Sequence, residues 1–567
     1  MADDALPFDF VVVGGGSAGS VLAARLSEDA GTRVCLLEAG GPDTSVLIHC
    51  PAGLALLAKT GTANWAFETV PQPGLGGRRG YQPRGKTLGG SSSVNAMIYL
   101  RGAASDYDGW AAEGNAGWAW DDVLPFFRAA EHNERGANAF HGAGGPLNVM
   151  DLRSPHRFGP IFVEAGVQAG HARNPDFNGA AQEGVGLYQV THKNGERCSA
   201  AKAYLAPAMA RPNLTVVTGA RTTRVLTETK DGVRRALGVD ALVGGTRRRF
   251  LASREVVLSA GALQSPQLLQ LSGIGPGADL QRHGIPVVHD LPGVGRHLHD
   301  HVDVVQVLDA PRLTDLFGVS PRGVANLVAA VFEWRRHRKG LLTTNFAEAG
   351  GFARSSRGRA EPDLQFHFVV GKLLDHGRKS VMGHGYSCHV CLLDPQSRGS
   401  VTLQSGDPLA APRIDPAFFA VPDDLERLVD GFLEMRRILS QRALASFGAR
   451  ELETSAAART RDEIRAFVRA HADTIYHPVG SCRMGNGPLD VVDAELRVHG
   501  VAGLRVVDAS IMPTIVRGNT NAPTIIIAEK AAALLRGRRS TGRVGAEDPT
   551  RHGSLRMEAP AAAKVAA

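Results

Sequence analysis

The fold is decided by a stretch near the start of the chain, FDFVVVGGGSAGSVLAARLSEDAGTRVCLLE, which runs from Phe8 to Glu38. Its opening FDFVVV is apolar enough for a buried parallel strand, and Gly14 to Gly19 then spell G-x-G-x-x-G. A segment with helical spacing follows, and after it a second apolar strand ends in Glu38. Strand, glycine turn, helix, strand and acid, in this order, indicate a dinucleotide-binding α/β unit.

Each part of this motif has a physical role. The glycines let the backbone approach a pyrophosphate closely, and the N-terminus of the following helix favours the negative charge. Glu38 can accept hydrogen bonds from ribose hydroxyls, and its charge argues against the extra phosphate of NADP. The motif alone leaves NAD and FAD open. The cofactor-binding residues predicted here are Gly14, Gly16, Ser17, Ala18, Gly19, Glu38 and Ala39.

Length and composition limit the class of protein. The 567 residues are too many for one ordinary core, and 43% hydrophobic with 21% charged residues suit a globular chain. No apolar run approaches the roughly 20 residues of a membrane-spanning helix, and the first ten residues have no apolar signal core. Six irregularly spaced cysteines do not form a disulfide scaffold. We therefore expect a reduced, cytoplasmic protein.

The net charge of +7 does not indicate a nucleic-acid partner. The segment from Arg536 to Ala567 holds seven basic and three acidic residues, which leaves only +3 for the rest of the chain. A nearly neutral body lacks the electrostatic footprint of a DNA-binding protein. We predict that 539–567 is a disordered basic tail, with a tether to an anionic membrane surface as the alternative.

Further motifs identify a family. They read GKTLGGSSSVNAMIY at Gly85–Tyr99, GALQSPQLLQLSGIG at Gly261–Gly275, TIYHPVGSCRMG at Thr474–Gly485 and VVDASIMPTIVRGNTNAPTIIIAEKAA at Val506–Ala532. Together with the first motif they resemble the glucose–methanol–choline (GMC) oxidoreductases, from about Phe8 to about Leu535. The likeness is greatest to bacterial FAD-dependent alkanol dehydrogenases and choline dehydrogenase-like proteins.

The resemblance implies FAD as the cofactor. The segment from Gly89 to Ser93 is nearly free of side chains, as a loop lying against a flat ring system requires, and its backbone N–H groups could stabilise negative charge on the flavin. Family members with covalent FAD have a histidine where this chain has Val94, so we predict non-covalent FAD. The resemblance also assigns the adenine to the backbone of Val225. The remaining cofactor contacts it implies are Trp65, Arg84, Gly85, Leu88, Gly89, Gly90, Asn95, Ala96, Met97, Ile98, Asp508, Ala509 and Asn519.

The predicted catalytic pair is His477 and Asn521. Alcohol oxidation removes a proton from oxygen, and an imidazole is the usual base near neutral pH. The resemblance assigns this role to His477 in HPVG and its partner to Asn521, the second Asn of NTNAP. An asparagine can hydrogen-bond the substrate oxygen without competing for its proton. Asn521 could also serve as the N-cap of a helix.

The order of the motifs predicts an α/β fold with two parts. A discontinuous Rossmann-like FAD-binding domain is expected at 1–150, 213–300 and 474–538, and an α+β substrate domain with an antiparallel sheet at 151–212 and 301–473. Within the latter, the segments PDLQFHFV, GYSCHVCLL and SRGSVTLQS are typical of strands, and Asp423–Leu439 is typical of an amphipathic helix.

The function predicted is FAD-dependent oxidation of primary, largely aliphatic alcohols, with electrons passed to a quinone, an artificial dye or oxygen. Choline dehydrogenase, an oxygen-using oxidase, a flavin-dependent lyase or decarboxylase and a non-catalytic flavoprotein stay as alternatives. Val324–Trp334 is an apolar stretch followed by basic residues, which leaves peripheral contact with the inner membrane face open. We predict no metal site: Cys388 and Cys391 point to opposite faces of a strand, and the histidines of GVGRHLHDH offer at most adventitious binding.

Overall fold

Two large β-sheets organise the computed structural model of the protein, which describes residues 8–357, 360–379 and 381–537. The tail predicted at 539–567 lies outside the described residues. Each sheet has its own hydrophobic core, one built on Phe10–Val13 and the other on the buried faces of later strands. The predicted fold class, a Rossmann-like α/β unit with a second part built on an antiparallel sheet, is confirmed.

The first sheet has seven strands and carries the dinucleotide motif. In spatial order they are Leu214–Val217, Val34–Leu37, Phe8–Val13, Thr246–Leu258, Val233–Val243 and Ala220–Lys230, with Leu504–Val506 paired beside Thr246–Leu258. The strands around Phe8–Val13 run parallel to it, whereas the last three form an antiparallel extension. Because Leu504–Val506 returns to this sheet from near the end of the chain, the segments carrying the cofactor motifs meet in one unit.

Helices cover this sheet and fix the glycine turn. The principal ones are Ser17–Leu26, Ala104–Ala112, Trp120–Ala130, Gly261–Leu271 and Asn521–Leu535. Gly19 is required by close packing, since a Cβ at this position would lie 1.8 Å from the carbonyl oxygen of Gly14. The last of these helices packs on the first, where Arg25 and Glu529 form an ion pair at 2.8 Å. The end of the chain thereby supports the turn at its beginning.

The second sheet has eight strands, all paired antiparallel. Its main path is Arg450–Glu451, Val302–Asp309, Gly383–Leu392, Leu364–Val369, Ala347–Ala353 and Gly184–Leu187, with Asp473–Thr474 and Gly318–Val319 paired at its sides. Helices Phe158–Gln168, Pro422–Leu439 and Arg461–His471 pack against it. The predicted helix at Asp423–Leu439 is therefore confirmed with one more residue at its start.

One predicted strand joins a different partner. The segment SRGSVTLQS contributes only Ser400–Thr402, which pairs with Arg413–Asp415 in a separate hairpin. The backbone N–H groups of Gly399 and Val401 donate to the carbonyls of Leu298 and Gly295, which lie outside the large antiparallel sheet. The prediction that it extends the large antiparallel sheet was wrong for this reason.

Shorter elements complete the described chain. The remaining helices are Val46–His49, Leu54–Thr60, Ala206–Ala208, Gly277–Arg282, Pro321–His337, Arg442–Ala445 and Glu453–Ala456, with a π-turn at Ala201–Leu205. The 3₁₀ turns are Pro51–Gly53, Pro73–Leu75, Gly90–Ser93, Leu341–Thr343, Asp375–Gly377 and Ala509–Ile511. The short strands are Phe67–Glu68, Tyr81–Gln82, Glu131–Asn133, Leu147–Val149, His192–Lys193, Glu196–Arg197, Ile274–Gly275 and His289–Asp290.

Candidate active site

A cavity of about 1440 Å³ is lined by residues of both sheets. It extends from the glycine turn and Glu38, past the loop at 94–98, to His477. Pockets for a single small ligand usually measure about 300–1,000 Å³, so this cavity has room for a dinucleotide and a substrate together.

Most of the predicted site residues line this cavity. They are Gly14, Gly16, Ser17, Ala18, Glu38, Ala39, Trp65, Arg84, Gly85, Gly90, Asn95, Ala96, Met97, Ile98, His477, Asp508, Ala509, Asn519 and Asn521. They come from segments that are far apart in the sequence, and the two sheets bring them together.

Four predicted cofactor residues are not among the lining residues. Gly19 packs under the glycine turn, and Leu88 belongs to the buried core of the first sheet. Gly89 donates its backbone N–H to the carbonyl of Gly15 at 2.7 Å, which holds the flavin loop against that turn. Gly19, Leu88 and Gly89 therefore support the residues that line the cavity and do not line it themselves.

Val225 is the fourth, and here the structure contradicts the prediction. Its backbone N–H already donates to the Ser272 hydroxyl at 2.8 Å, and its residue is 2% exposed in the core of the first sheet. The same strand reaches the cavity earlier, at Ala220, Arg221 and Thr222. These three are therefore the residues that this strand offers to a ligand.

The cavity end near the glycine turn fits a dinucleotide. Among the described side chains, none caps the helix Ser17–Leu26 and none in its first turn is acidic, so its N–H groups are available to a pyrophosphate. Gly90 has φ +53° and a Cβ there would lie 2.7 Å from the Cα of Gly16. The Glu38 carboxylate accepts from the backbone N–H groups of Gly15 (2.8 Å) and Gly40 (2.7 Å), which orients it at the cavity wall.

Two buried charged residues hold the loops that face the cavity. Asp508 lines it, but its carboxylate accepts from the N–H groups of Gly261 and Ser510 (both 2.8 Å) and from two serine hydroxyls. Arg197, which sequence reasoning missed, donates to the backbone carbonyls of Ile48 (2.8 Å) and Asn95 (2.7 Å). Both residues fix backbone in place around the cofactor space.

His477 is held in place by Asp300. One carboxylate oxygen of Asp300 accepts the backbone N–H of His477 at 2.8 Å, and the other accepts the hydroxyl of Thr474 at 2.5 Å. Burial raises the pKa of Asp300 to about 6, against the opposing effect of the Thr474 hydroxyl and of Arg84. Asp300 precedes the strand Val302–Asp309, so the backbone of His477 is fixed to the second sheet.

Burial keeps the imidazoles of this site neutral. Desolvation lowers the pKa of His477 well below its usual range, and the neighbouring His301 and His367 add to this effect. Burial likewise lowers the pKa of His301 and of His367 to about 3. A neutral imidazole has one N–H and one lone pair, so the hydrogen-bond partners decide which nitrogen is the base.

A directed chain of hydrogen bonds fixes the tautomer of His477. The carbonyl oxygen of Leu393 only accepts, so Nε2–H of His301 donates to it at 3.1 Å. Nδ1 of His301 then carries the lone pair, and it lies 3.0 Å from Nδ1 of His477, which must donate. The lone pair of His477 is therefore on Nε2, which lies 3.1 Å from the amide nitrogen of Asn519. The carbonyl oxygen of that amide accepts from Gln365 at 3.2 Å, which fixes the amide's orientation.

The partner of His477 is therefore Asn519 and not the predicted Asn521. Asn521 begins the helix Asn521–Leu535, and its side-chain oxygen Oδ1 accepts from the hydroxyl of Ser17 at 2.9 Å. The expected capping role also differs, since Thr520 is the N-cap residue. Because the chain turns into the helix at this point, Asn519 and Asn521 face different parts of the same cavity.

Other residues of the site were missed or misread from the sequence. His301 lies in the histidine-rich turn to which the sequence assigned no role beyond adventitious metal binding. His299 in the same turn is structural, because its ring nitrogens bond the carbonyl of His297 (2.7 Å) and the N–H of Ile515 (2.9 Å). His367 lines the cavity next to Asn519, whose side chain interacts with its imidazole. The alternation of a strand with inward polar residues, LQFHFV, was the available signal for His367.

Among the residues that the structure describes, no three His, Cys, Asp or Glu side chains group as metal ligands. Cys388 packs in the core of the second sheet, and Cys391 packs in a smaller cluster with Ile98 and Tyr188. In the same part of the chain, no helix is long and apolar enough to cross a membrane.

A dinucleotide cradle that opens onto a buried, neutral imidazole is typical of a dinucleotide-dependent oxidoreductase. Family models described as GMC oxidoreductase match residues 8–303 and 395–528. The chain belongs to the GMC oxidoreductase family, whose cofactor is FAD.

Known proteins similar to this chain include several enzymes. An "Alcohol dehydrogenase [acceptor]" of Pseudomonas putida is 48% identical over 534 residues, which cover 93% of this chain and 95% of that protein. An "Oxygen-dependent choline dehydrogenase" of Paraburkholderia xenovorans is 45% identical over 95% of this chain and 96% of its own length. A solved structure of Aspergillus oryzae formate oxidase, from work on FAD modification, superposes with a TM-score of 0.86 at 26% identity and covers 96% of this chain and all of its own.

Proposed function

We propose that the protein oxidises primary, largely aliphatic alcohols to aldehydes with FAD and passes the electrons to a quinone or another acceptor. The observation that carries this proposal is the hydrogen-bond chain from Leu393 through His301 to buried His477, which leaves Nε2 of His477 to accept a proton beside Asn519 in the cavity. The similarity to an alcohol dehydrogenase [acceptor] supports the same reaction.

His477 acts as the base in this proposal. Its Nε2 takes the proton of the substrate hydroxyl, while the amide N–H of Asn519 donates to the oxygen as it gains negative charge. FAD, held by the residues of the glycine turn and of the loop at 89–98, would supply the hydride acceptor. His367 lies beside Asn519 in the same cavity and provides a further polar contact for the substrate.

The charges of the cavity favour an uncharged alcohol over choline. Of the described lining residues, only Glu38, Glu196 and Asp508 are carboxylates, and the last is fully hydrogen-bonded. Glu196 is paired with Lys202 and lies 3.3 Å from Arg338. Cationic residues are more numerous along the walls, namely Lys59, Arg84, Arg221, Arg335, Arg338, Lys372 and Lys379. The positive charge of a quaternary ammonium is disfavoured by this excess of cationic side chains, so choline is the second candidate.

The cofactor would be held without a covalent bond. Gly14 to Ala18, Glu38 and the loop at 89–98 form the cradle, and Val94 offers no nucleophile to the flavin. The domains we assign to it are 1–150, 213–300 and 474–538, with the substrate domain at 151–212 and 301–473. The division of strands between the two sheets supports both assignments, except that Thr474 pairs with Val302 in the second sheet.

The setting we propose is the cytoplasm, with peripheral contact at the inner membrane face. A dehydrogenase must pass its electrons onward, and a membrane quinone is the acceptor that such contact would serve. Oxygen as acceptor is the alternative.

Flavin bleaching under argon tests the proposal. The purified holoenzyme is mixed with a series of straight-chain primary alcohols or with choline at equal concentration, and absorbance near 450 nm is followed. We expect the alkanols to bleach the flavin faster than choline, whereas a lyase, a decarboxylase or a non-catalytic flavoprotein would show no bleaching. Mixing the reduced enzyme with air or with a soluble quinone then identifies the acceptor, since rapid reoxidation by air alone would indicate an oxidase.

A further inference from the structure

The helix Pro321–His337 presents an apolar face to solvent. Val324, Leu327, Val328, Val331 and Phe332 are all exposed, with Phe332 at 70% and Val324 at 58%. Their spacing of three and four residues places them on one side of the helix. We call these five residues the apolar helix face. Large apolar side chains grouped in this way usually mark an interaction site.

An adjacent side anchors the helix to the protein. Ala330 and Trp334 are buried in a small cluster with Cys50, Ala52 and Leu342. The indole N–H of Trp334 also donates to the carbonyl of Gly195 at 2.8 Å. The apolar helix face therefore belongs to a well-packed helix whose outward side has no cover within the described structure.

The charges around this face are basic. Arg335, Arg336 and His337 end the helix, Lys339 follows, and Glu333 is the helix's single acidic residue. Neither Arg335 nor Arg336 is paired with a carboxylate of the described chain. Apolar side chains that insert below a row of cationic side chains match a bilayer whose surface carries anionic lipid.

The same face forms part of the rim of the active-site cavity. Leu327 and Val331 are exposed yet also line the cavity, and so do Val319 and Leu56 on neighbouring segments. Arg335 lines it as well. An apolar molecule could therefore pass from this surface into the cavity along apolar side chains.

We propose that the apolar helix face docks the protein on an anionic lipid bilayer, so that the cavity opens towards the lipid. The docking stands on the surface itself, while the passage of a lipophilic alcohol or quinone into the cavity rests on the proposed function. A second copy of this chain is the competing occupant, and the test below separates the two.

Flotation with liposomes tests the docking without substrate. The holoenzyme is mixed at low salt with vesicles of phosphatidylcholine alone or with one third phosphatidylglycerol. We expect flotation mainly with the anionic vesicles and release at high salt. The variant V328S/F332S should bind at least about tenfold less, and R336Q/K339Q should lose about tenfold or more on anionic vesicles alone. Neither Val328 nor Phe332 is a lining residue, so turnover of a short alcohol should not change.

The matched control is M209S/V233S, which replaces two apolar residues that are also exposed but lie elsewhere. It should float like the unmodified protein, and flavin absorbance confirms that each variant is folded. The proposal is overturned if the unmodified protein stays unbound on both vesicles, or if V328S/F332S floats equally well. It is also overturned if light scattering shows a dimer that V328S/F332S converts to a monomer while no flotation occurs. Absence of flavin bleaching by alkanols would refute the proposed function and leave the docking result standing.

Discussion

Replacing His301 with Phe should slow flavin reduction without removing the flavin. The ring nitrogen that accepts from Nδ1–H of His477 would be lost, and that N–H would remain buried without a partner. Leaving a buried donor unsatisfied costs about 1–3 kcal/mol. The imidazole avoids this cost by moving its proton to Nε2, where it blocks the lone pair that takes the substrate proton.

The magnitude follows from this cost. If the productive tautomer is destabilised by about 1–3 kcal/mol, the rate of reduction falls about 5- to 150-fold. His301→Gln retains a carbonyl oxygen that can accept the same hydrogen bond, and it should recover all but a few-fold of the loss. The variants are compared in an anaerobic stopped-flow instrument at saturating alcohol, with the alcohol dissociation constant measured alongside.

If His301 selects the tautomer of His477, His301→Phe should lower the rate of flavin reduction. The alcohol dissociation constant and the flavin spectrum should stay nearly unchanged. The reasoning fails if His301→Phe reduces its flavin as fast as the unmodified enzyme. It also fails if His301→Gln is as slow as His301→Phe, because the acceptor would then be irrelevant.

Three further predictions follow from the site and its surroundings. Asn519→Ala should lower the flavin reduction rate about 100-fold through loss of the hydrogen bond to the charged oxygen, whereas Asn521→Ala should change it less than about threefold; equal losses would contradict the assignment. Gly90→Ala should weaken FAD binding by more than about tenfold in flavin fluorescence titrations, since its Cβ would meet Gly16, while Gly109→Ala, with open space around it, should not. Burial lowers the pKa of His141, but hydrogen bonds to Asp176 and Glu131 outweigh burial and raise this pKa to about 9. The protonated His141 therefore stabilises the folded state by up to about 3 kcal/mol. This stabilisation is complete below about pH 6.5 and is lost as the pH rises through 9. Urea unfolding of the protein and of His141→Gln should therefore converge at high pH, and a constant difference would refute this.

Much of the fold was predictable because it depends on local patterns. The strand, glycine turn and helix at Phe8–Leu26 follow from apolar periodicity and from backbone positions that exclude a Cβ. The helix at Pro422–Leu439 follows from its apolar stripe. The hairpin at Ser400–Thr402 could not be predicted, because its partners are set by backbone donors to a distant loop.

The site was predictable in its parts and less so in its pairings. The sequence motifs identified His477, Asn519 and Asn521. Which asparagine lies beside His477 depends on where the last helix begins, and it begins at Asn521, two residues after Asn519. His301 lies 176 residues from His477 in sequence, and only the folded chain reveals the hydrogen bond between them. Val225 was misassigned because the sequence does not show that its N–H is already bonded to Ser272.

The central claim is that buried His477 removes the hydroxyl proton of an alcohol in an FAD enzyme. Anaerobic flavin reduction by a primary alcohol, compared between the unmodified holoenzyme and His477→Ala, tests it most directly. The account predicts that the variant retains FAD with an unchanged visible spectrum and reduces it about 10²- to 10⁴-fold more slowly, the usual contribution of a general base. Reduction at the unmodified rate would contradict it.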